Sequence, residues 1–151
     1  ARRAGRTVDG MITEVAPLDK IALLLQRFAE GAKEAGRDPK TQVRVLRLHL
    51  SWAPTDEEAM ANALAEWPNG GMRFGRSDIR SPFEFDQLAK LVRPDDFEGR
   101  MLVTADLDAH RAHIQSFLDL GFDRIYLHNA GRNQAQWLEV FGRDVLPKLT
   151  R

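Results

Sequence analysis

Residues 43–52 read VRVLRLHLSW, and their pattern decides the fold. Leu46, Leu48 and Leu50 alternate with Val45, Arg47, His49 and Ser51. That period of two is a strand with one apolar and one polar face. A central strand of an open parallel sheet is apolar on both faces, because helices cover both. A closed (βα)8 barrel accepts polar inward residues near the C-terminal mouth of its strands, where sites form. The segment therefore favours a barrel strand. A small open doubly wound sheet is the second reading.

Working outward, residues 9–13 read as a short buried strand. Residues 18–36 place Leu18, Ile21, Ala22, Leu25, Phe28, Ala29 and Ala32 at helical spacing, with Pro17 before and Gly36 after. Downstream, 55–67 is a helix opened by Thr55 with Glu58 three residues on, the capping-box spacing. Pro68-Asn69-Gly70-Gly71 ends it, and 72–80 reads as an irregular excursion. Ser81-Pro82 opens a helix to about residue 92, and 93–96 makes a short helical turn. Residues 101–105 are a third strand. A helix to about 120 follows, capped by Asp106 or Asp108 and stopped by Gly121. Residues 124–129 are a fourth strand, and 133–149 a last helix with Trp137, Val140, Phe141, Val145 and Leu146 on one face. Four strand-helix units in succession imply a parallel sheet with right-handed crossovers. The expected fold is one domain, 1–151, forming half of a (βα)8 barrel completed by self-association.

Composition excludes several function classes. The chain has 151 residues, 22 basic and 22 acidic, so no net charge steers it to nucleic acid or an anionic membrane. It has no cysteine, which removes disulfides, thiolate nucleophiles and Cys-based zinc sites and agrees with a cytoplasmic location. No apolar run approaches a membrane span. The basic start at Arg2, Arg3 and Arg6 has no apolar core after it, as a signal peptide would. The first residue is Ala1, which reads as the cut edge of a longer chain.

Four motifs carry a family resemblance: Gly5-Arg6 with Asp9-Gly10-Met11-Ile12, His49-Leu50-Ser51-Trp52-Ala53-Pro54, Val92-Arg93-Pro94-Asp95-Asp96, and the run from Gly121 to Asn129. Together they resemble the luciferase-like flavin- and deazaflavin-dependent oxidoreductases, nearest the deazaflavin-dependent glucose-6-phosphate dehydrogenase branch. The resemblance implies a closed barrel about twice this length, of which this chain is the C-terminal half. It implies FMN or the deazaflavin coenzyme F420 as cofactor of the full-length parent. The catalytic His, Trp and Glu of that branch, and most cofactor contacts, would lie in the other half. No catalytic residue and no firm cofactor is therefore expected here. In the sugar-phosphate branch a Thr, two Lys and an Arg hold the phosphate. Glu14 falls at the Thr, Pro17 at the first Lys, Arg76 near the second, and Arg100 on the Arg. A carboxylate at Glu14 repels phosphate, which argues against glucose 6-phosphate and leaves another small anion open.

The candidate substrate-binding residues are Arg76, Arg100, His49, Ser51, His128 and Asn129. Arg76 and Arg100 would form an anion fork, since guanidinium binds phosphate or carboxylate bidentately; the competing reading is solvated surface arginine. His49 and Ser51 lie near the C-terminal end of their strand, as an acid or base would, or as interior hydrogen-bonded fillers. His128 and Asn129 end the last strand, either beside an anion site or as a helix cap. His110 and His113 are three apart, a metal-binding spacing, but with no third ligand they read as solvated and no metal is expected. Trp52, Trp67 and Trp137 read as core or interface anchors.

Three function classes follow: part of an oxidoreductase that is inactive alone, a non-catalytic half-barrel module that dimerises, or an independent open-sheet domain binding a small anion.

Overall fold

The computed structural model describes residues 1–73, 75, 77 and 79–150. The chain divides into two compact units. The first comprises Ala1–Leu48, Ala112–Leu127 and Leu149–Arg151; the second comprises His49–Arg111 and His128–Lys148.

In the first unit a short helix, α1 (Arg2–Thr7), lies on α2 (Leu18–Glu34). Two glycines permit the crossing. A Cβ on Gly5 would sit 2.0 Å from the Phe28 carbonyl oxygen, and one on Gly31 would sit 1.9 Å from that of Arg2. Helix α2 buries Ile21, Phe28 and Ala32 and ends where Gly36 adopts φ +68°, the left-handed conformation that suits glycine. Gln42 is buried, and its Nε2 donates to the carbonyls of Gly5 and Val8, both at 2.8 Å, tying α1 to the next strand.

Strand β1 (Gly10–Glu14) runs parallel to β2 (Val43–Ser51), with Gly10 opposite Val43 and Glu14 opposite Arg47. On β2, Val43 N–H donates to the Asp9 carbonyl while Arg44 C=O accepts from Asp123 N–H at 2.9 Å. Neighbouring residues of a strand point to opposite edges, so β1 and β4 (Arg124–Asn129) flank β2 in this unit. The Asp123 carboxylate fixes that edge, accepting from Arg44 N at 2.8 Å, Nε at 3.0 Å and Nη2 at 3.1 Å.

In the second unit the end of β2 pairs in parallel with β3 (Leu102–Val103). Leu50 C=O accepts from Ala130 N–H at 2.8 Å on the other edge. The third strand is two residues long where the sequence suggested five. It stops because Ala105 N–H turns to the Asp56 carboxylate at 2.6 Å instead of continuing the ladder. Helix α3 (Asp56–Glu66) is capped by Thr55, whose hydroxyl accepts from Glu58 N–H at 3.2 Å. Helix α4 (Pro82–Ala89) is capped likewise by Ser81. Helix α5 (Leu107–Asp119), which passes into the first unit, takes Asp106 as its cap: that carboxylate accepts from Asp108 N–H at 2.8 Å. Ala63, Phe97, Met101 and Ala130 form a core cluster of this unit, with Leu64, Trp67 and Val103 against it.

The last helix is not continuous. Helix α6 (Gln134–Val140) gives way to a π turn at Phe141–Val145 and a 3-10 turn at Leu146–Lys148. Pro147 is the physical reason: its ring would collide with the carbonyl four residues back and it has no N–H to offer, so the helix must widen there. The alternation read from residues 43–52 is otherwise kept: Leu46, Leu48 and Leu50 are wholly buried, while Arg47 is exposed and His49 half-buried.

Candidate functional site

The C-terminal ends of β2 and β4 bring together three aromatic side chains of the second unit. His49 comes from β2, His128 from β4, and Trp67 follows the last turn of α3. The Nδ1 atoms of the two histidines are 2.9 Å apart. Their rings meet edge to face, centroids 4.9 Å apart at 83°. Trp67 stacks on His49 at 5.0 Å and 29° and leans over His128 at 4.5 Å and 56°. Such ring separations are attractive beyond simple burial.

The Nδ1–Nδ1 contact sets the chemistry. A hydrogen bond there needs a proton on one Nδ1 and a lone pair on the other. In the neutral pair the two Nε2 atoms then differ: the Nδ1 donor carries an Nε2 acceptor, and the Nδ1 acceptor carries an Nε2–H. The pair therefore links the ends of the two strands through one proton, on the side of a barrel where chemistry collects.

The other named residues are placed as follows. Ser51 is fully buried and its hydroxyl donates to the Ala59 carbonyl at 2.7 Å, fastening β2 to α3. Asn129 is buried; its side-chain oxygen accepts from Trp52 N–H at 2.8 Å and its Nδ2 donates to Asn133 Oδ1 at 3.1 Å. Asn133 Nδ2 in turn donates to the Trp52 carbonyl at 3.1 Å. Asn129 thus clamps the end of β2 to the last loop. Arg100 donates through Nη1 to the Met72 carbonyl at 2.7 Å. Arg76 lies outside the described residues, so the Arg76–Arg100 fork has no geometry to report.

His110 corrects an expectation. It is wholly buried rather than solvated, with Nε2 2.9 Å from the Thr104 carbonyl and its ring edge-on to Phe141 at 5.3 Å. His113 packs edge-on to Phe117 at 5.2 Å, and burial pulls its imidazole below the usual histidine range. Among the described residues no group of three or more His, Asp or Glu could hold a metal ion. Trp52 and Trp137 are core residues as expected, whereas the stacking role of Trp67 went unread.

In the first unit an open depression of about 360 Å³ is lined by Ile12, Thr13, Glu14 and Arg47. Glu14 and Arg47, opposite each other in the β1–β2 register, form an ion pair there.

Residues 1–124 match the family model for luciferase-like monooxygenases. An F420-dependent glucose-6-phosphate dehydrogenase of Nakamurella multipartita is 30% identical over 98% of this chain and 44% of its own length. An F420-dependent secondary alcohol dehydrogenase, solved with an F420-acetone adduct, superposes with a TM-score of 0.81 at 22% identity, over 99% of this chain and 46% of the other. The oxygenating constituent of 3,6-diketocamphane monooxygenase from Pseudomonas putida, solved with FMN, gives a TM-score of 0.62 at 20% identity, over 99% and 45%. The chain spans about half the length of the curated relatives it matches. The expected fold, half of a (βα)8 barrel in four parallel strand-helix units, is borne out.

Proposed function

The chain belongs to the luciferase-like monooxygenase family, and from that premise we propose that it is the C-terminal portion of a flavin- or deazaflavin-dependent oxidoreductase barrel, inactive alone. The observation that carries this reading is the match of residues 1–124 to the family in a chain that covers 44% of a relative's length, with the His49–His128 pair under Trp67 at the strand ends. Redox chemistry in the whole protein would come from F420 or FMN, the cofactors that the relatives' names carry.

Three depressions formed by described residues offer that group no cradle by themselves. FMN and F420 both carry phosphate, which needs converging cations or backbone N–H groups. The depression of about 590 Å³ beside α4 offers Lys90 against Glu66 and Asp86. Another, about 330 Å³, offers Glu84, and the one on β1 and β2 pairs its only cation with Glu14. This chain's part is accordingly one wall of the barrel.

Self-association is part of the same reading. It is supported by two large apolar side chains on the strands of the first unit, Ile12 at 60% and Tyr126 at 51% exposure. A cytoplasmic location is supported by the lack of cysteine, and no helix among the described residues is long and apolar enough to cross a membrane. The test is complementation: the first half of the Nakamurella relative, expressed with this chain, should yield a complex that binds F420. Failure of the two to associate at any concentration counts against the reading.

A further inference from the structure

We propose that Leu138, Gly142 and Leu146, on the last helix, are the docking face for an amphipathic helix of the complementary half-barrel, the neighbour that closes the ring of helices beside α6. This deepens the function proposed above and rests on it.

Trp137, Phe141 and Val145 are spaced every fourth residue and form the buried inner stripe of α6 and its π turn. One residue on, Leu138, Gly142 and Leu146 repeat that spacing, turned by about 100° around the axis. This second stripe is open: Leu138 is 62% exposed and Leu146 48%. One residue further, Glu139 and Arg143 form an ion pair at 3.7 Å on the solvent side. The helix thus has three successive faces: one buried on its own unit, one apolar and uncovered, and one charged. A surface helix carries a single apolar stripe toward its core. A second stripe at its flank points sideways, where a closed barrel places the next helix of the ring.

Gly142 fits the same face. A Cβ there would meet no described atom within 4 Å, and its φ is not positive, so neither packing nor backbone conformation in this chain asks for glycine. Inside a helix glycine is the less stable choice beside alanine. Set between Leu138 and Leu146, about one turn from each, it makes a hole between two knobs, and a large side chain on a facing helix fits there. This chain already supplies α6 with one neighbour, since His110 of α5 lies edge-on to Phe141. The length of the relatives indicates the other. The chain covers 44% of the Nakamurella dehydrogenase and 46% of the secondary alcohol dehydrogenase on which it superposes. A ring that this chain fills halfway sets helices of the other half beside its two end helices, and α6 is one of them.

The experiment mixes the 151-residue chain with the first half of the Nakamurella relative, without cofactor, and reads their association by sedimentation velocity. Leu138→Lys and Leu146→Lys should each weaken the complex by at least about tenfold, because a charge would take the place of a leucine buried at the contact. Glu139→Lys puts the same side chain on the charged face and should leave the complex unchanged. Amide exchange of residues 134–146 should slow when the complex forms. Circular dichroism checks that each variant is folded, and two leucine variants are made so that one misfolded protein does not decide. The proposal is overturned if a folded Leu138→Lys or Leu146→Lys chain joins the complex as tightly as wild type, a result that leaves the half-barrel reading standing. It is equally overturned if Glu139→Lys weakens the complex as much. Absence of any complex overturns the proposal and the half-barrel reading together. If the leucine variants break up an oligomer of the chain alone and spare the mixed complex, the stripe belongs to a second copy and the proposal fails.

Discussion

Nδ1 of His49 and Nδ1 of His128 lie 2.9 Å apart although the two residues are separated by 79 positions in the chain. One proton between them couples the ends of β2 and β4, and Trp67 covers both rings. Replacing His128 with Ala removes the bond and the edge-to-face contact together. The expected loss is about 1–2 kcal/mol in urea unfolding, from one half-buried hydrogen bond and one aromatic pair. Trp67 fluorescence should shift in the folded variant, because its imidazole neighbour is gone. An unchanged emission spectrum would argue that the three rings are not in contact.

Asn129 is a stronger test of what holds the strand ends. Asn129→Ala leaves Trp52 N–H buried without its 2.8 Å acceptor, and an unsatisfied buried donor costs more than the bond was worth. The variant should lose about 2–3 kcal/mol by the same measurement. Asn133→Ala frees the Trp52 carbonyl and also strips the buried Asn129 Nδ2 of its 3.1 Å acceptor, so it should lose a comparable amount.

Acid should loosen α1 from α2 before it unfolds the rest. Glu34 bonds Arg2 and, at 2.7 Å, Arg6; these contacts, the Arg2 hydrogen bond foremost, lower its carboxyl from 4.5 to about 2. A carboxylate whose folded pKa is depressed contributes stability above its unfolded pKa and loses it as pH falls toward the folded value. The window here is between pH 4.5 and about 2. Protection of the amides of residues 2–7, with the intrinsic pH dependence of exchange divided out, should fall across it, and Glu34→Gln should make that protection insensitive to pH in this window. The pair is exposed, so added salt should shrink the effect.

Exposed apolar side chains on the first unit's strands predict association. Sedimentation velocity should show mass rising with concentration, and Ile12→Lys, which puts a charge on that face, should shift the chain toward monomer. A monomer at every concentration would remove the self-association reading.

Much of the fold was legible because it is written in local periods. The run at 43–52 placed its leucines inside and its polar residues on the other face, as observed. Thr55, Ser81 and Gly36 marked helix ends because capping is a short-range hydrogen-bond rule. Helix α1 was missed: six residues held by Gly5 and Gly31 against α2 have no period to read, and their stability is tertiary. The apolar stripe of 133–149 predicts one continuous helix, and Pro147 near its end is the local signal against it. At the site, His49 and His128 were visible singly, by their places at strand ends. Their contact was not, since it needs the parallel alignment of β4 with β2, and neither was Trp67, which arrives from the end of α3. Residue parity assigns faces to Glu14 and Arg47, but their pairing needs the register of β1 on β2, which is tertiary.

The most direct test of the central claim, that this chain is one wall of a cofactor-dependent barrel, is fluorescence titration of oxidised F420 and of FMN with the chain alone and with the complementary half supplied by a relative. The account predicts no saturable binding to the chain alone and stoichiometric binding once the two halves are joined. Tight one-to-one binding of either cofactor by the 151 residues alone would contradict it.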